Sequence, residues 1–339
     1  MLEEQYQNEQ EPGKKSRYIN WQISKGLQAV DGIKTSDYLD EVAKEHIEGQ
    51  ITSFEASELI DSYYEIKEDR EQESGTEEAD KVAARINILI GEGGFSLTSD
   101  ELKNIHKRLF EGIYEHAGFF RKNNIIKHEW VLDGDTVTYG NAYNLEGAVD
   151  NALHAERLTL FRQLDEMELV YHFSNFTSML WRIHPFGEGN TRTTAVFLIK
   201  YLRSLGIDAD NCLFEKNSKY FRDALVRANY TNIKKGVYAD RDPLDNFFEN
   251  LITGRKKTFS SRSLHIYADT DKSIKGLHGE ALDKEIIKLI DKNDTLTRAQ
   301  MAKELGVSVK TIERHLAQMP NIRYEGSAKK GRWVKYSFL

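Results

Sequence analysis

Cysteine is almost absent from this 339-residue chain, which contains one, Cys212. A single thiol cannot form an internal disulfide, and it cannot supply the ligands of a cysteine-based zinc cluster. The fold must therefore rest on a hydrophobic core, and any metal ion must be bound through oxygen or nitrogen atoms.

Proline is scarce, with 4 residues, and no apolar run approaches the roughly 20 residues that cross a membrane. Met1 is followed by Leu-Glu-Glu rather than by the basic and apolar residues of a secretory signal. Hydrophobic residues make up 40% of the chain and charged residues 30%. This composition predicts a soluble, cytoplasmic, mainly α protein with no membrane contact and with room for two or three domains.

The net charge of −7 is unevenly distributed. Residues 271–339 contain 14 Lys and Arg against 9 Asp and Glu, a net charge of +5, which leaves −12 for the rest of the chain. Because nucleic acids attract basic surfaces, this C-terminal part is the candidate for DNA binding.

What the chain does contain is the run HPFGEGNTR at residues 184–192. Apolar residues recur at helical spacing over 168–183 before it and over 193–205 after it, where Gly206 follows. The run is therefore predicted to be a tight turn between two buried helices. The alternative to a functional site is a capped helix turn with an ordinary histidine and arginine.

The residue types in this turn also suit a phosphate-binding site. Gly187 and Gly189 let the backbone approach an anion closely. The amides of residues 191–193 lie at a predicted helix N-terminus, which favours negative charge. Arg192 can neutralise phosphate oxygens with two N–H groups at once.

Two further side chains in the turn indicate catalysis at that phosphate. Glu188 is acidic among anion-binding groups, which is explained if it holds a Mg²⁺ ion that in turn binds phosphates. His184, whose ordinary pKa is near 6.5, can accept a proton from a hydroxyl group at neutral pH.

The run resembles the signature of the Fic (filamentation induced by cAMP) family: His-Pro-Phe-x-Asp/Glu-Gly-Asn-x-Arg and, after two more residues, a second Arg. The first nine positions match, but the second Arg position is Ala195 and the next basic residue is Lys200. The resemblance implies a Fic-type helical bundle with a β-hairpin flap. It also implies transfer of AMP from ATP to a Ser, Thr or Tyr hydroxyl of a target protein, with Mg²⁺ or Mn²⁺ as cofactor.

By this resemblance, individual residues receive roles. His184 would be the base, and Glu188 would bind the metal ion. Ala195 leaves the outer phosphates one partner short, whereas Gly189 favours AMP, since relatives that use other donors tend to carry Ala there. The residues expected to bind the nucleotide are Phe186, Gly187, Gly189, Asn190, Thr191, Arg192 and Tyr220.

The flap is predicted as two short strands at 125–131 and 136–139, joined by a turn at Asp133-Gly134-Asp135. In the family such a hairpin clamps the target protein by adding a strand. The resemblance therefore assigns target binding to Ile126, Lys127 and His128, with a decorative surface hairpin as the alternative.

The chain is predicted to have three parts: an arm and inhibitory helices at 1–80, a catalytic domain at 81–260, and a winged helix-turn-helix at 261–339. Residues 1–15 are expected to be a loose arm. The last part has three short helical runs and a predicted hairpin tipped by Lys329 and Lys330. Such modules bind DNA or proteins, so DNA binding through 280–339 and homo-oligomer formation both remain open.

Residues 43–66 resemble the Fic antitoxin domain, whose inhibitory helix carries Ser/Thr-x-x-x-Glu-Gly/Asn. Here the pattern is Lys44-x-x-x-Glu48-Gly49, with Lys44 in place of the hydroxyl residue. The resemblance implies autoinhibition through Glu48, with Arg192 as its expected partner because the second Arg is missing. The alternative is a solvated helix capped by Gly49, in which Lys44 pairs with Glu48.

Three other functions remain possible on this sequence. The protein could be a DNA-binding regulator whose Fic fold only senses nucleotide, or an enzyme that transfers a different phosphate-linked group, or one that removes AMP. A sensor has no use for a base, so His184 favours chemistry over sensing.

Overall fold

The computed structural model describes residues 12–67, 76–207, 212–267, 280–305, 307, 309–319, 322–326 and 331–336. The chain divides into two compact units, Met1–Leu264 and His265–Leu339. Among the described helices, none combines the length and apolar character needed to cross a membrane.

The described part of the first unit is a bundle of ten α-helices. Short 3₁₀ turns lie between these helices at Leu27–Asp31, Trp130–Leu132, Ala142–Asn144, Phe161–Gln163 and Ile233–Lys235, and one follows the last helix at Ser261–Leu264. The helices are α1 (Pro12–Gly26), α2 (Asp37–Glu48), α3 (Ser53–Lys67), α4 (Glu77–Gly91), α5 (Ser99–Phe110), α6 (Leu145–Arg157), α7 (Glu166–Ile183), α8 (Asn190–Ser204), α9 (Leu213–Ala228) and α10 (Asp242–Thr253).

Polar caps and glycines set several helix boundaries. The Thr98 side chain accepts a hydrogen bond from the Glu101 amide at the start of α5. At the start of α7, Asp165 and Glu168 satisfy each other's amides in a capping box. Gly49 ends α2 in a left-handed conformation, with φ at 78°.

The two helices that flank the HPFGEGNTR run form the centre of the bundle. On α7 the inward-facing apolar residues include Phe173, Phe176 and Leu180, all nearly or fully buried. On α8 every residue from 190 to 202 is buried. The turn between them is therefore fixed at both ends by core helices, which confirms the prediction of a tight turn between two buried helices.

Two expectations for the first unit are wrong. The loose arm predicted at 1–15 ends earlier, because α1 begins at Pro12, and its Trp21 is fully buried with Nε1 donating to His46 Nδ1 at 2.9 Å. Residues 1–11 lie outside the described part. The predicted flap strands at 125–131 and 136–139 are also absent, since the described residues form a 3₁₀ turn with the Glu129 amide donating to Asp135 O at 2.9 Å.

The described part of the second unit contains α11 (Glu280–Lys292), α12 (Arg298–Glu304), α13 (Val309–Gln318), β1 (Ile322–Glu325) and β2 (Arg332–Lys335). The strands pair antiparallel with Ile322 opposite Lys335. Leu282, Ile286 and Trp333 belong to its buried core. This is the predicted winged helix-turn-helix. The predicted wing tip, with Lys329 and Lys330, lies outside the described residues.

Candidate active site

The HPFGEGNTR run forms a loop, called here the motif loop (residues 184–192), from the end of α7 into the first turn of α8. His184 ends α7 in the left-handed region with φ at 52°, and Gly189 precedes α8 with φ at 71°. A left-handed histidine is unusual and needs support from its surroundings. That support comes from Arg121, whose Nε donates to His184 O at 2.8 Å and whose amide donates to Pro185 O at 2.8 Å.

His184 is held so that one ring nitrogen is available as a base. Its Nδ1 lies 3.2 Å from Trp181 O, an atom that can only accept, so Nδ1 carries the proton and Nε2 keeps a lone pair. Within the described part of the chain, Nε2 makes no hydrogen bond. Burial lowers the pKa of His184 well below its ordinary value of 6.5, and the charge of Lys127 lowers it further. The imidazole is therefore neutral at physiological pH.

A buried network supports the aromatic ring that covers His184. The Tyr139 ring lies 4.2 Å from the His184 ring, and its hydroxyl donates to Glu129 Oε1 at 3.2 Å. Arg222 forms an ion pair with Glu129 at 3.0 Å, while burial raises the pKa of that carboxyl. The sequence contained no pattern that links these residues to His184, because they come from two segments that are both distant from it in the chain.

The backbone of the motif loop presents a row of unpaired donors. The amides of residues 187–192 have no acceptor within the described part of the chain, although Asn190, Thr191 and Arg192 are buried residues. Consecutive free N–H groups at the start of a helix attract an anion, since each lacks a partner and the helix dipole adds positive charge. Of the three predicted amides, those of Thr191 and Arg192 are unpaired among the described residues, whereas the Thr193 amide donates to Gly189 O at 3.0 Å.

Side chains within the loop fix that backbone. Asn190 Nδ2 donates to Phe186 O at 2.8 Å, and the Phe186 amide donates to Asn190 Oδ1 at 2.9 Å. Trp181 Nε1 donates to Thr191 Oγ1 at 3.0 Å. The Phe186 ring stacks on His106 with centroids 3.7 Å apart. Phe186, Asn190 and Thr191 therefore shape the loop from inside.

The two loop glycines have packing reasons for their identity. A Cβ on Gly189 would lie 2.4 Å from the Phe110 ring, and one on Gly187 would lie 2.9 Å from His116 Nε2. An alanine at Gly189 is thus excluded by Phe110 whichever donor is used. Gly189 is therefore weaker support for AMP as the transferred group than the sequence suggested.

Glu188 is exposed on the rim of the motif loop, with 57% of its side chain accessible. Its Oε2 lies 2.5 Å from the ammonium of Lys127, and Oε1 has no partner among the described residues. No group of three His, Cys, Asp or Glu side chains in the described part of the chain could hold a metal ion. One accessible carboxylate beside free phosphate-binding amides does fit Mg²⁺, which is commonly held by one or two carboxylates plus phosphate oxygens and water.

Arg192 is buried and its guanidinium faces internal partners. Its Nε lies 2.8 Å from Asp31 Oδ2, and its Nη2 donates to Glu78 Oε1 at 2.6 Å and to the Tyr114 hydroxyl at 3.1 Å. Nη1 donates to Gln28 Oε1 at 3.1 Å, and only 1% of the side chain is exposed. The guanidinium can therefore reach a phosphate only if some of these contacts are released.

The expected pair between Glu48 and Arg192 is wrong for this structure. Glu48 Oε2 lies 2.7 Å from Lys14 Nζ instead. The end of α2 faces α1, where Arg17 donates to Ile47 O at 2.9 Å. Lys44, the other expected partner, makes no ion pair with Glu48 in the described part. Lys14, which pairs with Glu48, lies in the segment predicted to be a loose arm.

The remaining predicted residues lie apart from the loop backbone or point away from it. Tyr220 is buried against Phe259 and donates to Pro243 O at 3.2 Å, which is ordinary packing. Ile126 is 72% exposed. His128 bonds Gly134 O at 2.7 Å within the flap.

Two family models match this chain. Residues 96–202 match the model described as Fic/DOC family, and residues 280–319 match the one described as winged helix-turn-helix DNA-binding. The first match contains the motif loop, the residues between Arg121 and Gly140, and the helices that carry them.

The chain is similar to two curated Bartonella proteins. The protein adenylyltransferase VbhT of Bartonella schoenbuchensis is 32% identical over 119 residues, which are 35% of this chain and 23% of that protein. A protein adenylyltransferase of Bartonella henselae is 21% identical over 199 residues, 51% of this chain and 32% of that protein. This chain thus spans about a quarter and about a third of the lengths of these relatives.

A solved structure of a Fic family protein from Desulfovibrio desulfuricans G20 is also similar. It is 13% identical, with a TM-score of 0.48, and the similarity covers 100% of this chain and 91% of that one.

Proposed function

We propose that this protein, whose residues 96–202 belong to the Fic/DOC family, transfers AMP from ATP to a Ser, Thr or Tyr hydroxyl group of a target protein. The observation that carries the proposal is the motif loop itself. It combines a row of unpaired amides over residues 187–192 with a neutral imidazole at His184 whose Nε2 has no partner in the described chain. The names of the two Bartonella relatives favour AMP as the transferred group.

In the proposed reaction, the motif-loop amides bind the phosphates of ATP and hold the α-phosphorus near the base. Nε2 of His184 accepts the hydroxyl proton while the hydroxyl oxygen bonds to the α-phosphorus. The bond from the α-phosphorus to the bridging oxygen breaks, and pyrophosphate leaves. Tyr139 and Trp181 keep the imidazole in the orientation that this transfer needs.

We also propose that Mg²⁺ or Mn²⁺ binds at Glu188. A divalent ion bound there would neutralise phosphate charge. Glu188 would hold the ion at the rim of the loop, which is the accessible side of the site.

Autoinhibition through Glu48 was the expectation from the sequence. The carboxylates in contact with Arg192 are instead those of Asp31 and Glu78. We propose that these two residues restrain activity by competing with phosphate for Arg192. They come from the 3₁₀ turn after α1 and from the start of α4, so the restraint is still built by elements that precede the motif loop.

The test of AMP transfer uses the full chain, a bacterial lysate as target source, and Mg²⁺ or Mn²⁺. ATP labelled at the α-phosphate and ATP labelled at the γ-phosphate are supplied in separate reactions. We expect protein-bound label from the α position alone. Label retained from the γ position would show phosphate transfer and overturn the proposal.

The winged helix-turn-helix of the second unit favours a second function, binding to duplex DNA. The match is described as DNA-binding, and Arg314, Arg323 and Arg332 are exposed on α13, β1 and β2. A helix of this kind reads the major groove while the hairpin contacts phosphates. Basic residues on both elements are suited to those positions.

We predict that the full chain retards a duplex on a gel with an affinity that falls as salt rises. Replacing Arg314, Arg323 and Arg332 together by Ala should weaken binding and lower the salt slope by about 1 for each lost phosphate contact. Replacing Lys284 and Lys288 on α11 by Ala is the matched control. Absence of retardation at low salt would instead favour protein binding by this unit.

A further inference from the structure

The ammonium of Lys127 contacts the motif loop through one side chain, that of Glu188. Its ammonium lies 2.5 Å from Glu188 Oε2, and its side chain is 22% exposed. The family resemblance assigned Lys127 to a flap that binds a target protein mainly through its backbone. In the structure the Lys127 side chain faces the motif loop instead.

The segment that carries Lys127 is anchored at both ends to residues in or next to the motif loop. At its start the Arg121 amide donates to Pro185 O at 2.8 Å, and at its end the Gly140 amide donates to Arg182 O at 3.2 Å. Because both anchors lie beside His184, the ammonium of Lys127 is kept near the loop whether or not its ion pair forms.

Two arginines at the motif loop, Arg192 within it and Arg121 beside it, are less available to a ligand than Lys127. Arg192 holds four internal partners, as described above, and is 1% exposed. Arg121 donates to the carbonyl oxygens of His184, Asn123, Gly140 and Ile183. An ammonium has three N–H donors, and the one partner of Lys127 in the described chain is Glu188. Lys127 therefore has donors available at the rim.

We propose that Lys127 is a nucleotide-binding residue, whose ammonium pairs with Glu188 when ATP is absent and binds phosphate oxygens when ATP is present. The inference rests on the proposed function, since it needs ATP in the motif loop. Phosphate oxygens bound at the motif loop would compete with Glu188 Oε2 for the ammonium, because both are anionic acceptors. The released ammonium remains beside the phosphates and supplies the cation that Ala195 does not.

The test is the dissociation constant of ATP with saturating Mg²⁺, measured by calorimetry on the full chain. We expect Lys127→Met to weaken ATP binding about ten-fold, because a charge-assisted hydrogen bond is lost. Lys127→Arg should restore most of the affinity. Lys122→Met, which removes an exposed lysine from the same segment, is the matched control and should bind like the wild type.

A second pair of variants separates contact with phosphate from an effect through Glu188. In a Glu188→Gln background the ion pair is already weakened, so a residue that acts only through that pair should cause no further loss. We expect Lys127→Met to weaken ATP binding there as well. If the loss disappears in this background, or if Lys127→Met binds ATP like the wild type, the inference is overturned. If the wild type binds no ATP, the proposed function itself fails.

Discussion

Replacing His184 by Ala is expected to reduce AMP transfer by about 10²- to 10⁴-fold, the usual contribution of a positioned general base. The dissociation constant of ATP should stay within about two-fold of the wild-type value, because the loop amides rather than the imidazole are proposed to bind phosphate. Initial rates with α-labelled ATP and calorimetric titration of ATP measure the two effects separately.

His154→Ala is the matched control for this variant, since His154 is exposed on α6, outside the motif loop. It should transfer AMP at the wild-type rate. Because His184 occupies a left-handed position at the end of α7, the thermal unfolding of both variants should be compared. A folded His184→Ala protein that transfers AMP at the wild-type rate would exclude the imidazole as the base.

The double variant Asp31→Asn with Glu78→Gln is expected to tighten ATP binding about ten-fold and to raise AMP transfer with it. The two carboxylates now contact the guanidinium of Arg192 at 2.8 Å and 2.6 Å. The amides keep the size of the side chains and much of their hydrogen bonding, but they remove the charges that compete with phosphate for Arg192. Calorimetry and the α-label assay again give the two values.

Glu48→Gln is the comparison variant, because Glu48 pairs with Lys14 and makes no contact with Arg192. It should leave both ATP affinity and transfer close to wild type. A large gain from Glu48→Gln together with none from the double variant would restore the inhibitory role that the sequence suggested for Glu48. Adding Arg192→Met to the double variant should remove the gain. If the double variant binds ATP like the wild type, Arg192 has a structural role only.

The turn at residues 184–192 and the two helices that flank it could be predicted from the sequence. The flanks of this turn have strong helical periodicity, and glycines and a histidine at a helix end limit the backbone to a tight turn. Such local rules are carried by neighbouring residues, so one sequence is enough to apply them. The winged helix-turn-helix was predictable for the same reason, because its short elements have their own apolar patterns and Thr297 caps α12.

The flap shows where this kind of prediction fails. Alternating residues and an Asp-Gly turn favour a hairpin. In the structure, however, Arg121 and Gly140 bond to residues beside His184, and Asp135 bonds to the Tyr230 hydroxyl at 2.7 Å and to Lys235 at 3.1 Å. These distant contacts satisfy the polar groups of the segment, and the described residues form no strand ladder.

The sequence by itself determined that the chain has a histidine, a carboxylate and a row of backbone amides within nine residues, on a turn between two core helices. Only the tertiary structure decided which charges meet. Arg192 is paired with Asp31 and Glu78, Glu188 with Lys127, and Glu48 with Lys14. The partners are 161, 114, 61 and 34 positions apart in the chain, respectively. Ion pairs at such separations depend on how whole helices pack, and no local pattern of residues records that packing.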